Sequence, residues 1–263
     1  MLQAQLRGKL TRKEEDLEDL LTSNVFGSIK YVPSEDALLP LLATSIDIDG
    51  NAPFVALQPV SSTEYHFWPW VQEQGCEGCE PDVLARIRCL TGKNIIVFIE
   101  AKYLSDKSSE ATEGDLPTDQ LAREWDNLTC LADRENAMPL LLYVTADMGF
   151  PRKSVEESRQ EYMRKRKKDM SVFWISWRKL PKLFSYARHQ ILNDLVEVLR
   201  RQGLIFFEGI LKPELFNVEW SFKAEVHWNW SLFKGCCIMW SFGLHKSYNW
   251  SYVIGTIKWR FDR

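Results

Sequence analysis

The stretch that decides the fold runs from Glu80 to Ser109 and reads EPDVLARIRCLTGKNIIVFIEAKYLSDKSS. Its first half alternates: Val83, Ala85, Ile87 and Cys89 share one face of a predicted strand, and Arg86 and Arg88 share the other. Gly92 marks a turn. The second half, NIIVFIEAKY, is a continuous apolar run of the kind that forms a central strand covered on both faces. That run ends in Glu100-Ala101-Lys102. A buried strand does not ordinarily finish in two opposite charges unless something uses them. Two strands joined by a short turn run antiparallel, so the start of the first lies beside the end of the second. Asp82 and Glu100 then approach each other across the ladder. Lys102 is two residues from Glu100 and points to the same face.

Two carboxylates and an ammonium at one sheet end are suited to particular chemistry. Paired carboxylates bind a hard divalent cation, and Mg²⁺ takes one or two of them plus waters and substrate phosphate. Such a metal acidifies a bound water and polarises a phosphoryl oxygen. The lysine can orient or deprotonate that water and offset charge in the transition state. The combination suits phosphodiester hydrolysis.

Outward from this stretch, helical and strand patterns alternate. TRKEEDLEDLLTSNVFGSIKYV reads as a helix with acidic first turns, followed by a short helix in SEDALLPLLATS with Ser34 as its expected N-cap. STEYHFWPWV reads as a strand interrupted by Pro69. Beyond the central strand come a polar loop, a helix in DQLAREWDNLTCLADRE, and a buried strand in MPLLLYVTAD. A charged helix in PRKSVEESRQEYMRKRKKD, a strand in MSVFWISW and a helix in LFSYARHQILNDLVEVLRRQG complete the order, the last stopped by Gly203. This order implies an α/β fold with a mixed sheet and helices on both faces.

The spacing Pro81-Asp82 then Glu100-Ala101-Lys102 resembles the PD-(D/E)xK nuclease superfamily, the restriction-endonuclease-like enzymes that include RecB-type nucleases. The resemblance implies a helix, three strands, a helix and a strand over about residues 13–146. It also implies that Asp82 and Glu100 hold Mg²⁺, with Mn²⁺ able to substitute. Ala101 would lend its carbonyl to the metal and Lys102 would serve the attacking water. Members often place a glutamate on the first helix, here Glu18, with Glu14 and Glu15 as rivals. RecB-like members carry Q-x-x-x-Y on the helix after the E-x-K strand. Gln120 stands at the first place, and the tyrosine is missing from the second. The implied activity is metal-dependent nuclease action on DNA, in bacterial defence or DNA processing. The alternative is a catalytically silent nuclease-fold module that docks a partner.

Further nucleic-acid contacts are expected from Lys107 and Ser108 in the SDKSS loop, from Arg123, and from Arg152 and Lys153 at the head of the charged helix. The run MRKRKK (163–168) reads equally as phosphate contact or as a solvated helix end. Cys76-Glu-Gly-Cys79 has zinc-knuckle spacing and no matching second pair, so thiols are expected, with Cys89 and Cys130 among core residues. With 263 residues, 45% apolar content and a net charge of -3, the composition is that of a globular protein. No apolar run approaches the ~18 residues of a membrane span, and the start lacks a signal-peptide core, so a cytoplasmic location is expected.

After Gly203 the composition shifts. Six of the 11 tryptophans lie between Trp220 and Trp259, in segments that alternate as strands. Residues 1–203 are therefore expected to form the nuclease-like domain, and 204–263 a β-rich extension. Such aromatic strands must pack on the core, on a second copy, or on a partner such as a helicase or ATPase. A stacking platform for nucleic acid is the sharper reading of those tryptophans, but no positive track accompanies them.

Overall fold

The structure, a computed structural model, describes residues 18–53, 59–103, 114–185 and 187–206, and the strand residues 220–222, 226–233, 237–244, 246–253 and 256–258. The chain divides into two units, Met1–Phe206 and Phe207–Arg263. The first unit runs past the expected boundary at 203. Leu204 is 1% exposed and belongs to the core, and Arg178 Nη1 donates to the carbonyls of Gly203 and Ile205.

The first unit is built on β1 (Val60–Phe67), β2 (Val83–Cys89), β3 (Ile95–Ala101), β4 (Met138–Thr145) and β5 (Val172–Ser176), in that order across one sheet. β2 runs antiparallel to both β1 and β3, and β4 and β5 continue parallel to β3. Gly92 turns the chain between β2 and β3 with φ +78°, a left-handed backbone that glycine adopts without a Cβ clash. The parallel pairs need crossovers, which α3 (Gln120–Arg134) and α4 (Arg152–Arg166) supply. α1 (Glu18–Ile29), α2 (Leu38–Thr44), a short α5 (Leu180–Leu183) and α6 (Gln190–Arg201) complete the unit.

β3 is buried along its whole length and its side chains divide by parity. Ile95, Val97, Ile99 and Ala101 face the layer of α1, α2 and α6, where Leu21, Phe26, Leu41, Leu195 and Leu199 pack. Ile96 and Phe98 face α3 and α4, against Leu121, Leu128, Val155 and Tyr162. Helices therefore flank both faces of a mixed sheet. Glu100 has the parity of Phe98 and lies on the α3 side.

Several local expectations differ. Ser34 does not cap a helix. It lies in a single 3-10 turn, Ser34–Asp36, and its hydroxyl shares a 2.7 Å hydrogen bond with Thr63 Oγ1 of β1. α2 instead starts after Ala37, with Pro40 in its first turn, where a missing N–H costs nothing. The helix expected from residue 183 begins only at Gln190. The chain ahead of it forms a 3-10 turn at Trp177–Lys179 and then α5, with Pro181 in the first turn of that short helix. Gly203, at φ +71°, follows the end of α6 as expected.

The second unit is a five-stranded antiparallel meander: β6 (Trp220–Phe222), β7 (Val226–Phe233), β8 (Cys237–Leu244), β9 (Lys246–Val253) and β10 (Thr256–Lys258), in sequence order. Its register aligns Trp230, Trp240 and Trp250 across three adjacent strands. Among the described residues, no helix is long and apolar enough to cross a membrane.

Candidate active site

The β2–β3 register pairs Val83 with Ile99, so one further step sets Asp82 opposite Glu100. Asp82 Oδ2 accepts from the Ala101 backbone N–H at 2.8 Å, and Oδ1 accepts from the Trp68 indole at 3.2 Å. Glu100 Oε1 accepts from Lys102 Nζ at 2.6 Å and from Gln120 Nε2 at 2.5 Å. Gln120 reaches it because α3 begins there. Asp119 caps that helix by accepting from the Ala122 N–H, and the Glu161 carboxylate of α4 accepts from the Thr118 and Asp119 N–H groups.

Lys102 Nζ also lies 3.2 Å from Glu18 Oε1, while Glu18 Oε2 accepts from the Tyr103 N–H at 2.7 Å. Glu18 thus enters from the opposite face of the sheet and reaches round the end of β3. Asp82, Glu100, Lys102, Glu18 and Gln120 therefore converge as the sequence predicts. All of them but Glu18 line an open cleft of about 360 Å³, together with Asp19, Trp68 and Glu80.

A fourth carboxylate was not foreseen. Glu124, one helical turn after Gln120, is 1% exposed and hydrogen-bonds Glu100, while its Oε2 is buried without a partner. It occupies the place at which Q-x-x-x-Y would put tyrosine. A carboxylic acid there, one turn from a glutamine aimed at the sheet end, was the available signal.

Burial dominates the electrostatics. It raises Asp82 from 3.8 to about 7, helped by the charge of Glu100 and opposed by the Ala101 N–H and Lys102. Burial likewise raises Glu100, against the lowering pull of Lys102. Glu124 is held well above the ordinary carboxylate range by burial and then by Glu100, so it carries the proton of that pair. Burial alone would lower Lys102. The charges of Glu100 and Glu18 outweigh it and keep the ammonium protonated.

The donor set is hard oxygen, which suits Mg²⁺ rather than a thiophilic metal. Among the described residues, no group of three or more His, Cys, Asp or Glu is arranged to hold a metal ion. Mg²⁺ does not require one, since one or two carboxylates with waters and a substrate phosphate suffice. The crowding of the Asp82 and Glu100 carboxylates, both raised by burial, places two oxygen ligands where a cation would favour their ionised forms. The residues therefore fit a divalent ion held by Asp82 and Glu100 with the Ala101 carbonyl.

The other expected nucleic-acid contacts are not gathered here. Arg123, on α3, does not line the cleft. Arg152 Nη2 donates to the Ile48 carbonyl at 2.9 Å, and Lys153 is paired at 4.0 Å with Glu157 on its own helix. Lys107, Ser108, Glu14 and Glu15 lie outside the described residues. In the basic run, Arg166 is committed to Asp126, and Lys165 donates to the Gly114 carbonyl.

The four described cysteines are free thiols, as expected, and Cys89 packs against the core. Cys76 and Cys79 are buried, at 5% and 1% exposure, whereas Cys89 and Cys130 are half-buried. The knuckle loop folds inward because Cys79 pairs with Val71 in an antiparallel bridge and packs against α3. Cys76 Sγ lies 3.4 Å from Cys130 Sγ on that helix.

The fold and site thus define an α/β domain with a buried carboxylate–lysine cluster at the end of a mixed sheet. No family model matches the chain, and no solved structure matches it. The chain is similar to the uncharacterized protein PM0110 of Pasteurella multocida (strain Pm70). The two are 25% identical over 262 residues, covering 88% of this chain and 93% of that protein. That share is too large to be confined to the first unit, so the likeness extends into both.

Proposed function

We propose that the protein is a metal-dependent nuclease of the PD-(D/E)xK type, with a restriction-endonuclease-like first unit that hydrolyses phosphodiester bonds in DNA. The observation that carries this reading is the β2–β3 register, which sets the Asp82 carboxylate against the Ala101 N–H while Glu100 and Lys102 meet at 2.6 Å on the same side. Asp82, Glu100 and the Ala101 carbonyl would hold Mg²⁺ or Mn²⁺, which supplies Lewis acidity to a water and to the scissile phosphate.

The chain's own residues divide the remaining work. Lys102 stays charged between Glu100 and Glu18, so it acts by charge, opposing the negative charge that grows on the phosphoryl oxygens. Glu18 bonds both Lys102 and the Tyr103 N–H, and so holds the ammonium over the strand end. Gln120 fixes the orientation of Glu100. Glu124, buried beside Glu100 and raised by burial and by that charge, would share its proton with Glu100.

A second reading, a silent nuclease-fold module, is favoured by one observation. Lys102 already neutralises Glu18 and Glu100, so the cluster is in part self-compensated. Incubating the protein with circular single-stranded and double-stranded DNA in Mg²⁺, Mn²⁺ or EDTA decides between them. Cleavage that needs the metal and is lost in Asp82→Ala supports the nuclease. Intact DNA under every metal condition sinks it and leaves the module.

A further inference from the structure

A series of aromatic rings runs from the end of α1 to the lining of the cleft: Tyr31 and Trp68 are exposed, and Phe67 between them is half-buried against the core. Tyr31, just past the end of α1, is 74% exposed. Lys30 Nζ sits 4.9 Å from the centre of the Tyr31 ring and 5.7 Å from that of Phe67 at the end of β1. The Phe67 and Trp68 ring centres are 5.8 Å apart. Trp68 is 38% exposed, lines the cleft, and donates its indole N–H to Asp82. An unbroken chain of contacts therefore leads from Tyr31 to the Asp82 carboxylate.

The geometry at Trp68 is not accidental packing. Its φ is +49°, a left-handed backbone that is costly for a bulky residue. Its backbone N–H donates to the Asp82 carbonyl at 2.9 Å and its indole to the Asp82 side chain, so the ring is fixed at both ends. A strained, doubly anchored tryptophan left open to solvent at a cleft mouth is suited to a ligand with a flat face.

The charges narrow that ligand. The cleft lining includes Asp19, Glu80, Asp82 and Glu100 against Lys102 alone, so its own field does not gather phosphates. Attraction at the mouth must come from a group that acidic residues do not repel, and stacking of a base on an aromatic ring meets that need. Lys30, between the two outer rings, is placed to meet the backbone phosphate of the same strand. In a duplex the base faces are covered by their neighbours. Only an unpaired base offers a free face to a side chain.

We propose that Tyr31, Phe67 and Trp68, with Lys30, form a stacking track for single-stranded nucleic acid that leads an unpaired strand to the Asp82–Glu100 cleft. This rests on the nuclease reading of the cleft and names its substrate as a single strand, or a strand locally opened, rather than an intact duplex.

The test titrates the intact protein with a fluorescein-labelled oligothymidylate, and with a blunt duplex of equal length, read by anisotropy in EDTA so that no strand is cut. The single strand binds more tightly than the duplex. Tyr31→Ala, at an exposed position that does not threaten folding, weakens single-strand binding about tenfold, as does Trp68→Ala. Trp68→Phe, which keeps a ring and loses the indole N–H, retains most of the binding. Lys30→Ala reduces the salt slope by about 0.7. Equal affinity for duplex and single strand, or an unchanged affinity in Tyr31→Ala, overturns the track. Ring-dependent single-strand binding by a protein that cuts nothing in Mg²⁺ keeps the track and removes the nuclease reading. Metal-dependent cleavage without ring dependence does the reverse.

Discussion

Asp82 makes the stability of this protein depend on pH in an unusual sense. Its carboxyl is raised from 3.8 to about 7 by burial and by Glu100. The folded state therefore keeps a proton that the unfolded chain releases as pH rises above the ordinary value. A raised carboxylate contributes stability that is fully present below the unfolded pKa and is lost as pH rises through the folded one. Between about pH 5 and about pH 8 the loss from this single group is roughly 2.5 kcal/mol. For a unit of this size it corresponds to a fall of about 5–10 °C in Tm. Glu100 and Glu124 are raised for the same reason and add to the same trend.

A divalent cation reverses the sign. Held by the ionised carboxylates as proposed, it would stabilise more as pH rises, and a hundredfold excess over Kd would add about 2.7 kcal/mol. The assay is thermal unfolding by circular dichroism at both pH values, with Mg²⁺ or EDTA, for wild type and Asp82→Asn. The variant keeps one acceptor for the Ala101 and Trp68 donors and loses about 1 kcal/mol independent of pH. It is expected to lose much of the pH dependence and of the Mg²⁺ response. If wild type and Asp82→Asn drop by the same Tm between the two pH values, the assignment of the raised value to Asp82 is wrong. If Mg²⁺ moves neither melting curve at about pH 8, these carboxylates do not hold it.

Other consequences are directly measurable. Lys102→Ala is expected to retain Mg²⁺ binding and to nick plasmid about 10²–10³-fold more slowly; wild-type nicking by this variant would remove the lysine from the chemistry. Glu161 accepts from the Thr118 N–H at 3.1 Å and the Asp119 N–H at 2.8 Å while only 2% exposed, so Glu161→Ala removes a buried acceptor from the start of α3. Urea unfolding should show a loss of about 1–3 kcal/mol, and an unchanged midpoint would mean that the start of α3 is held by other groups. A fragment ending at residue 206 keeps Leu204 and both described core clusters and is expected to fold, whereas one ending at 203 loses a core residue. Circular dichroism and sizing distinguish the two, and an insoluble 1–206 fragment would show that residues 207–263 complete its surface.

What the sequence made legible follows from period and parity. β3 could be read because its apolar run is unbroken, and its turn with β2 because a glycine follows alternating residues. Once those two strands pair antiparallel, the juxtaposition of Asp82 with Glu100 is geometry, and the parity of Glu100 with Lys102 is arithmetic. Glu18 and Gln120 needed more, since each comes from a helix whose orientation depends on packing. They were named only through the resemblance, which implies a glutamate on the first helix and a glutamine on the helix after the E-x-K strand. The features that escaped depend on tertiary neighbours. The only local mark of Glu124 is its place one turn after Gln120, and a glutamate on a helix is ordinarily solvated. Only the placement of α3 over the end of β3 desolvates it. Ser34 looked like a cap because serine before an apolar run usually is one, and β1 supplied Thr63 as a competing partner. The spacing of Cys76 and Cys79 says nothing of their burial, which follows from the bridge between Val71 and Cys79 that folds the loop inward.

Trp68 illustrates the limit most clearly. In sequence it is one aromatic residue in a strand broken by proline, with no hint of a left-handed backbone. In the structure that backbone aims its indole at Asp82, and the same turn leaves the ring face open to solvent. The carboxylate and the ring are thus set by one local conformation. A change that relaxes this turn, such as Trp68→Gly, removes the ring and frees Asp82 from one of its two side-chain hydrogen bonds at once. Trp68→Phe removes only the hydrogen bond. The pair therefore separates the part of Trp68 that positions the carboxylate from the part that presents a stacking face. Metal affinity reports the first and single-strand affinity the second. Equal losses of both in Trp68→Phe would mean that the indole acts on the strand only through Asp82.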